Sequence, residues 1–171
     1  MAKIKIVLDA DVIIHFSKGG YLSLLPSILS NYDFIVLNPV YDEIRGEIKQ
    51  QLDNQINILK NIELVRFNPK GEMMKEYAQL VKSKGRGESA CLAFCKYEHN
   101  VVGSSNLKDI LKYCEDNGIT YLTTVDFLYY AIKNKHITKD EAIKFINEVN
   151  LKGSQLPSDI NFDTYVCKAC I

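Results

Sequence analysis

The chain has 171 residues, of which 47% are hydrophobic and 25% are charged. This length allows one domain with a substantial core, and the composition is ordinary for a globular protein. Basic and acidic residues number 21 each, so the formal net charge is zero and a large uniform basic face for nucleic acid is not expected. Any contact with phosphate would therefore depend on local patches. No apolar run approaches the roughly 20 residues of a membrane span, so a membrane partner is not expected either.

The N-terminal segment indicates a cytoplasmic protein. Residues 1–14 combine two lysines with an apolar stretch, which superficially resembles a signal peptide. Asp9 and Asp11 interrupt that stretch, and no small-residue cleavage site follows. We therefore expect no targeting segment here.

The cysteines are expected to be reduced. Their number is five, and an odd count in a cytoplasmic chain argues against a disulfide framework. Cys167 and Cys170 have CxxC spacing, but the sequence offers no second such pair and no suitably placed histidine. We therefore expect no structural zinc. Cys91 and Cys95 lie four residues apart on a predicted helix, where cysteine commonly acts as a small buried hydrophobe.

The first part of the sequence predicts strands separated by helical segments. Residues 3–8 are rich in isoleucine and valine and predict a strand that ends at an acid. A short helix over residues 10–17 follows and is closed by Gly19 and Gly20. We then expect a helical piece over 21–30, a strand over 33–39, helices over 40–48 and 50–62 with Pro39 at the start of the first, and a short strand over 63–67.

The rest of the sequence continues this alternation. Residues 70–85 predict a helix that ends at Gly85, and residues 87–100 predict a buried one. We then expect a short strand running into a polar turn over 101–106, a helix over 107–118, a strand over 119–123, and helices over 124–136 and 138–153. In the last helix, Thr138 and Glu141 have the spacing of a capping box. Residues 1–150 are predicted to form one domain, and residues 151–171 a tail without assigned structure.

Alternating strands and helices predict an α/β domain with a mainly parallel central sheet. In such folds, sites form outside the carboxyl ends of the strands. Several polar side chains lie just after predicted strands or at helix starts, namely Asp9, Asp11, Glu43, Glu88, Asn106 and Asp109. If the strands are neighbours, these side chains converge on one edge of the sheet.

A cluster of carboxylates points to metal chemistry. Neighbouring carboxylates repel one another, and hard cations such as Mg²⁺ or Mn²⁺ relieve the repulsion by binding oxygen ligands. Such a cation can bind a phosphate, activate a water and stabilise an in-line displacement, as nucleases require. The motifs GxxxxGK[ST], GxGxxG, GxSxG and HExxH are missing from the sequence. The three histidines, His15, His99 and His136, are scattered, and we expect each at the surface or in a loop.

Each candidate residue also has an ordinary structural role. Asp9 could cap the helix that follows it. Glu43 could be a solvated helix acid, and Glu88 could respond to the helix dipole. Asn106 could be a plain N-cap, and Asp109 could lie on a solvated helix face. These alternatives stay open at the level of the sequence.

Five segments in order resemble the PIN domain: "IVLDADVIIHF", "NPVYDEI", "GRGESACLAFC", "VVGSSNLKDI" and "TTVDFLYYAIKNKHI". The similarity covers residues 4 to 137 approximately, and the pattern looks most like short prokaryotic PIN-like proteins, many of them toxins of toxin–antitoxin pairs. The resemblance implies a three-layer α/β/α sandwich and an endoribonuclease that depends on Mg²⁺ or Mn²⁺. RNA is the implied substrate, with an antitoxin protein and a homodimer as candidate partners.

The resemblance also assigns site residues. Asp9, Glu43 and Glu88 match the catalytic, metal-binding acids of the family. Asn106 stands where the family usually has a further acid, so Asn106 and Asp109 complete the candidate metal ligands. The missing charge favours an alternative, a degenerate PIN-like domain that binds RNA or a protein without cutting. A more distant alternative is a flavodoxin-like phosphate-handling domain, because Asp9 and Asp11 form an acidic pair after the first strand.

Overall fold

Five short segments form one parallel sheet in the computed structural model, which describes residues 3–169 and 171. The strands are β1 Lys5–Leu8, β2 Asp33–Leu37, β3 Glu63–Val65, β4 Val101–Gly103 and β5 Tyr121–Leu122. Their order across the sheet is β3-β2-β1-β4-β5, and every neighbouring pair is parallel. The central strands are almost completely buried, as expected for a parallel sheet covered on both faces.

Helices cover both faces of the sheet. Their bounds are α1 Ala10–Lys18, α2 Leu25–Ile28, α3 Asn38–Tyr41, α4 Gly46–Asp53, α5 Glu72–Leu80, α6 Arg86–Glu98, α7 Leu107–Asn117, α8 Thr124–Lys133 and α9 Lys139–Leu151, and a π-helical turn, Asn54–Leu59, continues α4. Helix α6 packs on β1 and β2 beside α5 and α7, whereas α1, α8 and α9 pack against one another. The predicted three-layer α/β/α sandwich is therefore confirmed. Among the described residues, no helix has the length and apolar character needed to cross a membrane.

Aromatic side chains join the helices of one layer. Phe16 of α1 contacts Phe127 of α8 and Phe145 of α9, with ring centroids 6.0 Å and 5.0 Å away. All three side chains are almost fully buried. A β-carbon on Gly19 would lie 2.1 Å from a ring carbon of Phe145, so the end of α1 requires a residue without a side chain.

The order of the strands creates a crevice next to β1. From β1 the chain winds outward to β2 and β3, and it then returns to the other side of β1 to form β4 and β5. At such a reversal, the loops after the two central strands diverge and leave a ligand site at their carboxyl ends. Here the backbone N–H of Asp9, just after β1, donates to the carbonyl of Gly103 at the end of β4 (2.8 Å). Residues that follow β1 and β4 are therefore close neighbours.

The prediction of one continuous helix over residues 40–48 is wrong, because the helical residues belong to two helices with a turn between them. Helix α3 ends at Tyr41, Glu43 lies in the turn that follows, and Arg45 is extended. Gly46 then adopts a φ of +62°, a left-handed conformation that glycine tolerates without strain, and α4 begins there. The short strand predicted at Val101 ends at Gly103, and the predicted polar turn follows it over residues 104–106. Both features place polar residues in loops at the carboxyl edge of the sheet.

The segment after α9 contributes to the same core. Leu156, Phe162 and Ala169 are buried. The side chain of Asn150 accepts a hydrogen bond from the backbone N–H of Leu156 (2.7 Å) and donates one to its carbonyl (3.0 Å). The division into residues 1–150 and a tail of residues 151–171 stays a prediction, and the described part of that tail packs against α8 and α9 rather than extending away.

Candidate metal centre

Asp9 is held between helix α1 and the loop after β4. One carboxylate oxygen accepts the backbone N–H of Ala10 (2.8 Å), and the other accepts the hydroxyl of Ser104 (3.2 Å). Only 6% of the residue is exposed. Burial, reinforced by the charge of Asp11, raises the pKa of Asp9 from 3.8 to about 7. Asp9 is therefore an N-cap, as one interpretation of the sequence had it, but it is also a buried acid in contact with a second loop.

Asp11 also connects helix α1 to the loop after β4. Its carboxylate accepts the backbone N–H of Val12 (2.7 Å) and that of Ser105 (2.8 Å). Burial raises the pKa of Asp11 to about 6, although both hydrogen bonds favour the ionised form. The negative charge of Glu88 raises it further.

Glu88 and Asp109 share one amide donor. The side-chain nitrogen of Asn106 donates to a carboxylate oxygen of Glu88 (2.9 Å) and to one of Asp109 (2.7 Å). Glu88 lies in the first turn of α6 and is only 8% exposed. Burial and the charges of Asp9 and Asp109 raise the pKa of Glu88 to about 7. Asn106 occupies the N-cap position of α7, but its side chain bridges two acids instead of capping the helix.

Glu43 reaches the start of α6 from the turn after α3. One of its carboxylate oxygens accepts the backbone N–H of Gly87 (2.9 Å). A β-carbon at Gly87 would lie 2.9 Å from both oxygens, so the glycine leaves the space that this carboxylate fills. Since Gly87 precedes Glu88 in the chain, Glu43 joins the same acidic cluster.

The structure thus brings all five candidate residues into one cluster at the carboxyl edge of the sheet, together with Asp11. We call this set the carboxylate cluster: Asp9, Asp11, Glu43, Glu88, Asn106 and Asp109. None of the ion pairs formed among residues 3–169 and 171 includes a member of it. Lys84, in the preceding loop, lowers the pKa of Glu88. Negative charge is therefore concentrated locally in a protein whose net charge is zero.

The donors of the carboxylate cluster fit a hard divalent cation. They are carboxylate and amide oxygens, the ligands that Mg²⁺ and Mn²⁺ prefer. In the arrangement present, no three His, Cys, Asp or Glu side chains of the described residues form a group that could hold a metal ion. Hydrogen-bond donors of the protein contact these acids, namely the backbone N–H groups of Gly87 and Ser105 and the amide of Asn106.

Two serines after β4 were missed by the sequence analysis. Ser104 donates to Asp9, and the backbone N–H of Ser105 donates to Asp11. The Ser105 hydroxyl also accepts the backbone N–H of Thr124 and donates to its hydroxyl oxygen, both at 2.8 Å. The rule that sites form at the carboxyl ends of strands could have identified both serines, because they directly follow a strand.

The prediction that His15 lies at the surface is wrong. His15 faces inward on α1, and its Nδ1 lies 2.8 Å from the hydroxyl oxygen of Thr124. Burial lowers the pKa of His15 to about 4, so the ring is neutral at pH 7. A buried polar partner on α8 thus allows an imidazole inside the core. His99 and His136 are exposed, as expected.

The cysteines described by the structure are free. Cys91, Cys95 and Cys114 are buried, and Cys167 is half-buried. Burial raises the thiol pKa of Cys91 and Cys95 well above the ordinary value, so these two act as small hydrophobes, as predicted. Cys170 lies outside the described residues, and the expectation that the CxxC pair holds no zinc stays a prediction.

Comparisons with known proteins assign the chain to no family. No protein-family model matches the chain, and a search of curated proteins also found no match. The resemblance to the PIN domain therefore rests on the segments quoted from the sequence, and it stays a hypothesis.

Proposed function

We propose that this protein is a PIN-like endoribonuclease that hydrolyses RNA phosphodiester bonds with Mg²⁺ or Mn²⁺. The observation that carries the proposal is the crowding of acids in the carboxylate cluster, none of which forms an ion pair within the described part of the chain. Asp9, Asp11 and Glu88 all have a raised pKa because they are buried near one another. Such an arrangement costs folding free energy, and perturbed groups of this kind concentrate at functional sites. The position next to the crevice between β1 and β4 supports the same conclusion.

Each acid would contribute differently. A divalent cation held by these oxygens would supply the charge that binds a phosphodiester and activates a water. Asp9 is the best-placed central ligand, because the end of β1 and its bonds to Ala10 and Ser104 fix its carboxylate. Glu88 would approach from the start of α6 and Glu43 from the turn after α3, and Asn106 would offer an amide oxygen without a charge.

RNA contact would rely on a local basic loop. Lys82, Lys84 and Arg86 lie just before or at the start of α6, next to Glu88. Lys82 and Arg86 are exposed, and Lys84 is close enough to Glu88 to lower its pKa. These side chains would bind phosphates on either side of the cut. A chain with zero net charge needs such a local basic patch, because its contacts with phosphates are electrostatic. Single-stranded RNA is the expected substrate, since its backbone can bend into a crevice.

Cleavage of a mixed RNA pool tests the proposed function. We expect cutting with Mn²⁺ or Mg²⁺ and none with EDTA. Asp9→Asn should reduce the rate by at least about 100-fold, because it removes the central negative charge while it keeps the shape. Asp116→Asn is the matched control, since Asp116 is exposed and pairs with Lys112 on α7. If the folded wild type cuts no RNA at any metal concentration, the enzyme proposal fails.

A second candidate function is a non-catalytic PIN-like domain that binds RNA or a protein. The observation that favours it is the amide of Asn106, which holds Glu88 and Asp109 together without a cation. In that case the wild type would bind RNA in EDTA without cutting, and Asn106→Asp would stay inert with metal. Cutting by the wild type would rule this candidate out.

Further proposals rest on the resemblance and the composition alone. They are an antitoxin protein as a partner, a homodimer as the assembly, and a cytoplasmic location. Light scattering on the purified chain tests the homodimer. Co-purification with the product of the neighbouring gene tests the antitoxin.

A further inference from the structure

A cavity of about 310 Å³ lies beside the carboxylate cluster. We call it the tail cavity, because one wall comes from the segment after α9 and includes Leu156, Ile160 and Tyr165. The opposite wall belongs to the carboxyl edge of the sheet and includes Ser105, Tyr121 and Thr123. Its volume lies at the lower end of the range for small-molecule sites, so it suits a single flat ring rather than a large ligand.

One residue, Ser105, links the tail cavity to the carboxylate cluster. The backbone N–H of Ser105 donates to Asp11, and Ser105 also lines the cavity. Bonds between its hydroxyl and Thr124 hold this residue in place. The wall of the cavity and the acids are therefore joined by a residue whose position is fixed.

The side chains of the tail cavity suit a flat, partly polar ring. Tyr121 is half-buried at its wall, and within the described part of the chain its ring stacks on no other aromatic ring. Tyr165 is held rigidly, since its hydroxyl donates to Asp126 (2.5 Å) and its ring packs on Tyr129. Gln155, exposed at the rim, offers both a donor and an acceptor. Aromatic faces and an amide are what proteins use to hold unstacked bases.

We propose that the tail cavity binds one nucleobase of a single-stranded RNA whose neighbouring phosphate lies at the carboxylate cluster. The inference rests on the proposed function, because it takes RNA as the substrate. Tyr121 supplies the stacking surface, and Gln155 contacts the polar edge of the base. Lys168, exposed at the same rim, faces the negatively charged backbone of the strand. The segment after α9 thereby completes the substrate site rather than only covering the core.

Binding of free nucleosides in EDTA tests the cavity without metal or cleavage. Adenosine, guanosine, cytidine and uridine are titrated separately into ¹⁵N-labelled wild type while backbone amide shifts are followed. We expect saturable shifts at Ser105, Tyr121 and Tyr165. Tyr121→Ala should weaken the binding by about 10-fold, the effect of losing one stacking partner. Tyr97→Ala is the matched control, because Tyr97 lies in the last turn of α6, away from the carboxyl edge of the sheet.

Two further measurements keep the test decisive. Tyr121→Leu retains an apolar side chain without a flat ring, so it should also weaken nucleoside binding even if Tyr121→Ala folds poorly. In a defined RNA cut at one position, an abasic nucleotide next to the cut should lower kcat/KM by about 10-fold in the wild type. The same abasic nucleotide should have a much smaller effect in Tyr121→Leu.

The outcomes separate the cavity from the proposed function. Metal-dependent cleavage without nucleoside shifts up to the solubility limit would overturn the cavity proposal and leave the ribonuclease standing. Equal nucleoside affinity in the wild type and Tyr121→Leu would also overturn it. Nucleoside shifts in a folded protein that never cuts RNA would support base binding and overturn the ribonuclease.

Discussion

At the scale of single residues, folding brings together acids of the carboxylate cluster whose negative charges repel one another. Asp9 caps α1, yet its burial near Asp11 disfavours the ionised form. Asn106 offsets part of this repulsion by donating hydrogen bonds to Glu88 and Asp109. A residue with a purely structural role does not require acidic neighbours. The pH dependence of the free energy of unfolding therefore tests whether these acids interact.

Asp9→Asn should stabilise the metal-free protein at high pH. The folded pKa of Asp9, about 7, exceeds the ordinary 3.8, so between these values the folded state binds more protons than the unfolded chain. Stability from this group therefore falls as pH rises from 4 to 7. The stability of Asp9→Asn has no such dependence on pH. Its free energy of unfolding should therefore exceed that of the wild type by a few kcal/mol above pH 7, on the order of 1.4 kcal/mol per pKa unit.

Urea unfolding in EDTA at pH 4.5 and pH 8 measures this gain. Asp116→Asn, at an exposed position on α7, should show no such growth. A constant difference between Asp9→Asn and the wild type at both pH values would contradict the raised pKa of Asp9.

Asn106→Asp should tighten Mn²⁺ binding and weaken the metal-free fold. The substitution removes the amide donor between Glu88 and Asp109 and adds a third charge, which a cation compensates. We expect an affinity gain on the order of 10-fold by calorimetry and a lower melting temperature in EDTA. Asn31→Asp, at an exposed position before β2, is the control. Unchanged affinity in Asn106→Asp, with a loss in Asp109→Asn, would mean that Asp109 already supplies the charge.

At the scale of elements, the start of α6 depends on a glycine. The backbone of Gly87 comes close enough to donate to Glu43, and the missing side chain leaves room for that carboxylate. The turn between α3 and α4 brings Glu43 to the same place. The small size of Gly87 thus allows the turn after α3 and the start of α6, which are distant in the sequence, to pack together.

Gly87→Ala should therefore reduce activity without unfolding the protein. Its β-carbon would lie 2.9 Å from both Glu43 oxygens, so the carboxylate must move. We expect RNA cleavage to fall by about 10- to 100-fold, whereas the helix itself should tolerate alanine. Gly85→Ala is the matched control, because its β-carbon meets nothing within 4 Å. Equal cleavage rates in the two variants would show that the position of Glu43 is not needed.

At the scale of the whole molecule, helices α1, α8 and α9 pack against one another as one layer of the sandwich. The rings of Phe16, Phe127 and Phe145 fill that layer, and the close approach of α1 and α9 depends on Gly19. This packing lies apart from the carboxylate cluster, so its energetic effect can be separated from function.

Gly19→Ala should destabilise the protein while it spares the metal centre. The new β-carbon would lie 2.1 Å from Phe145, and overpacking of this kind costs about 1–3 kcal/mol. A melting temperature lower by several degrees is expected in calorimetric scans. The Mn²⁺ affinity of the folded protein should stay that of the wild type. A change in affinity would show that the core and the carboxylate cluster are coupled.

Local patterns in the sequence predicted much of the fold. Apolar runs rich in β-branched residues predicted strands at or near all five observed positions, because such runs fit a buried parallel sheet. The capping box of Thr138 and Glu141 was predicted from spacing and is present at the start of α9. The placement of Asp9 and Glu88 at element boundaries also came from the sequence, since caps and strand ends have local signatures.

Tertiary structure alone decided how these pieces meet. The order β3-β2-β1-β4-β5 places the end of β4 beside Asp9, and strand order depends on contacts between residues far apart in the chain. The break before α4 depends on Gly46, whose left-handed φ is one of several conformations open to glycine. His15 is buried only because Thr124 lies opposite it on another helix. The sequence by itself thus determined the elements and the candidate acids, whereas long-range packing decided which donors hold each acid.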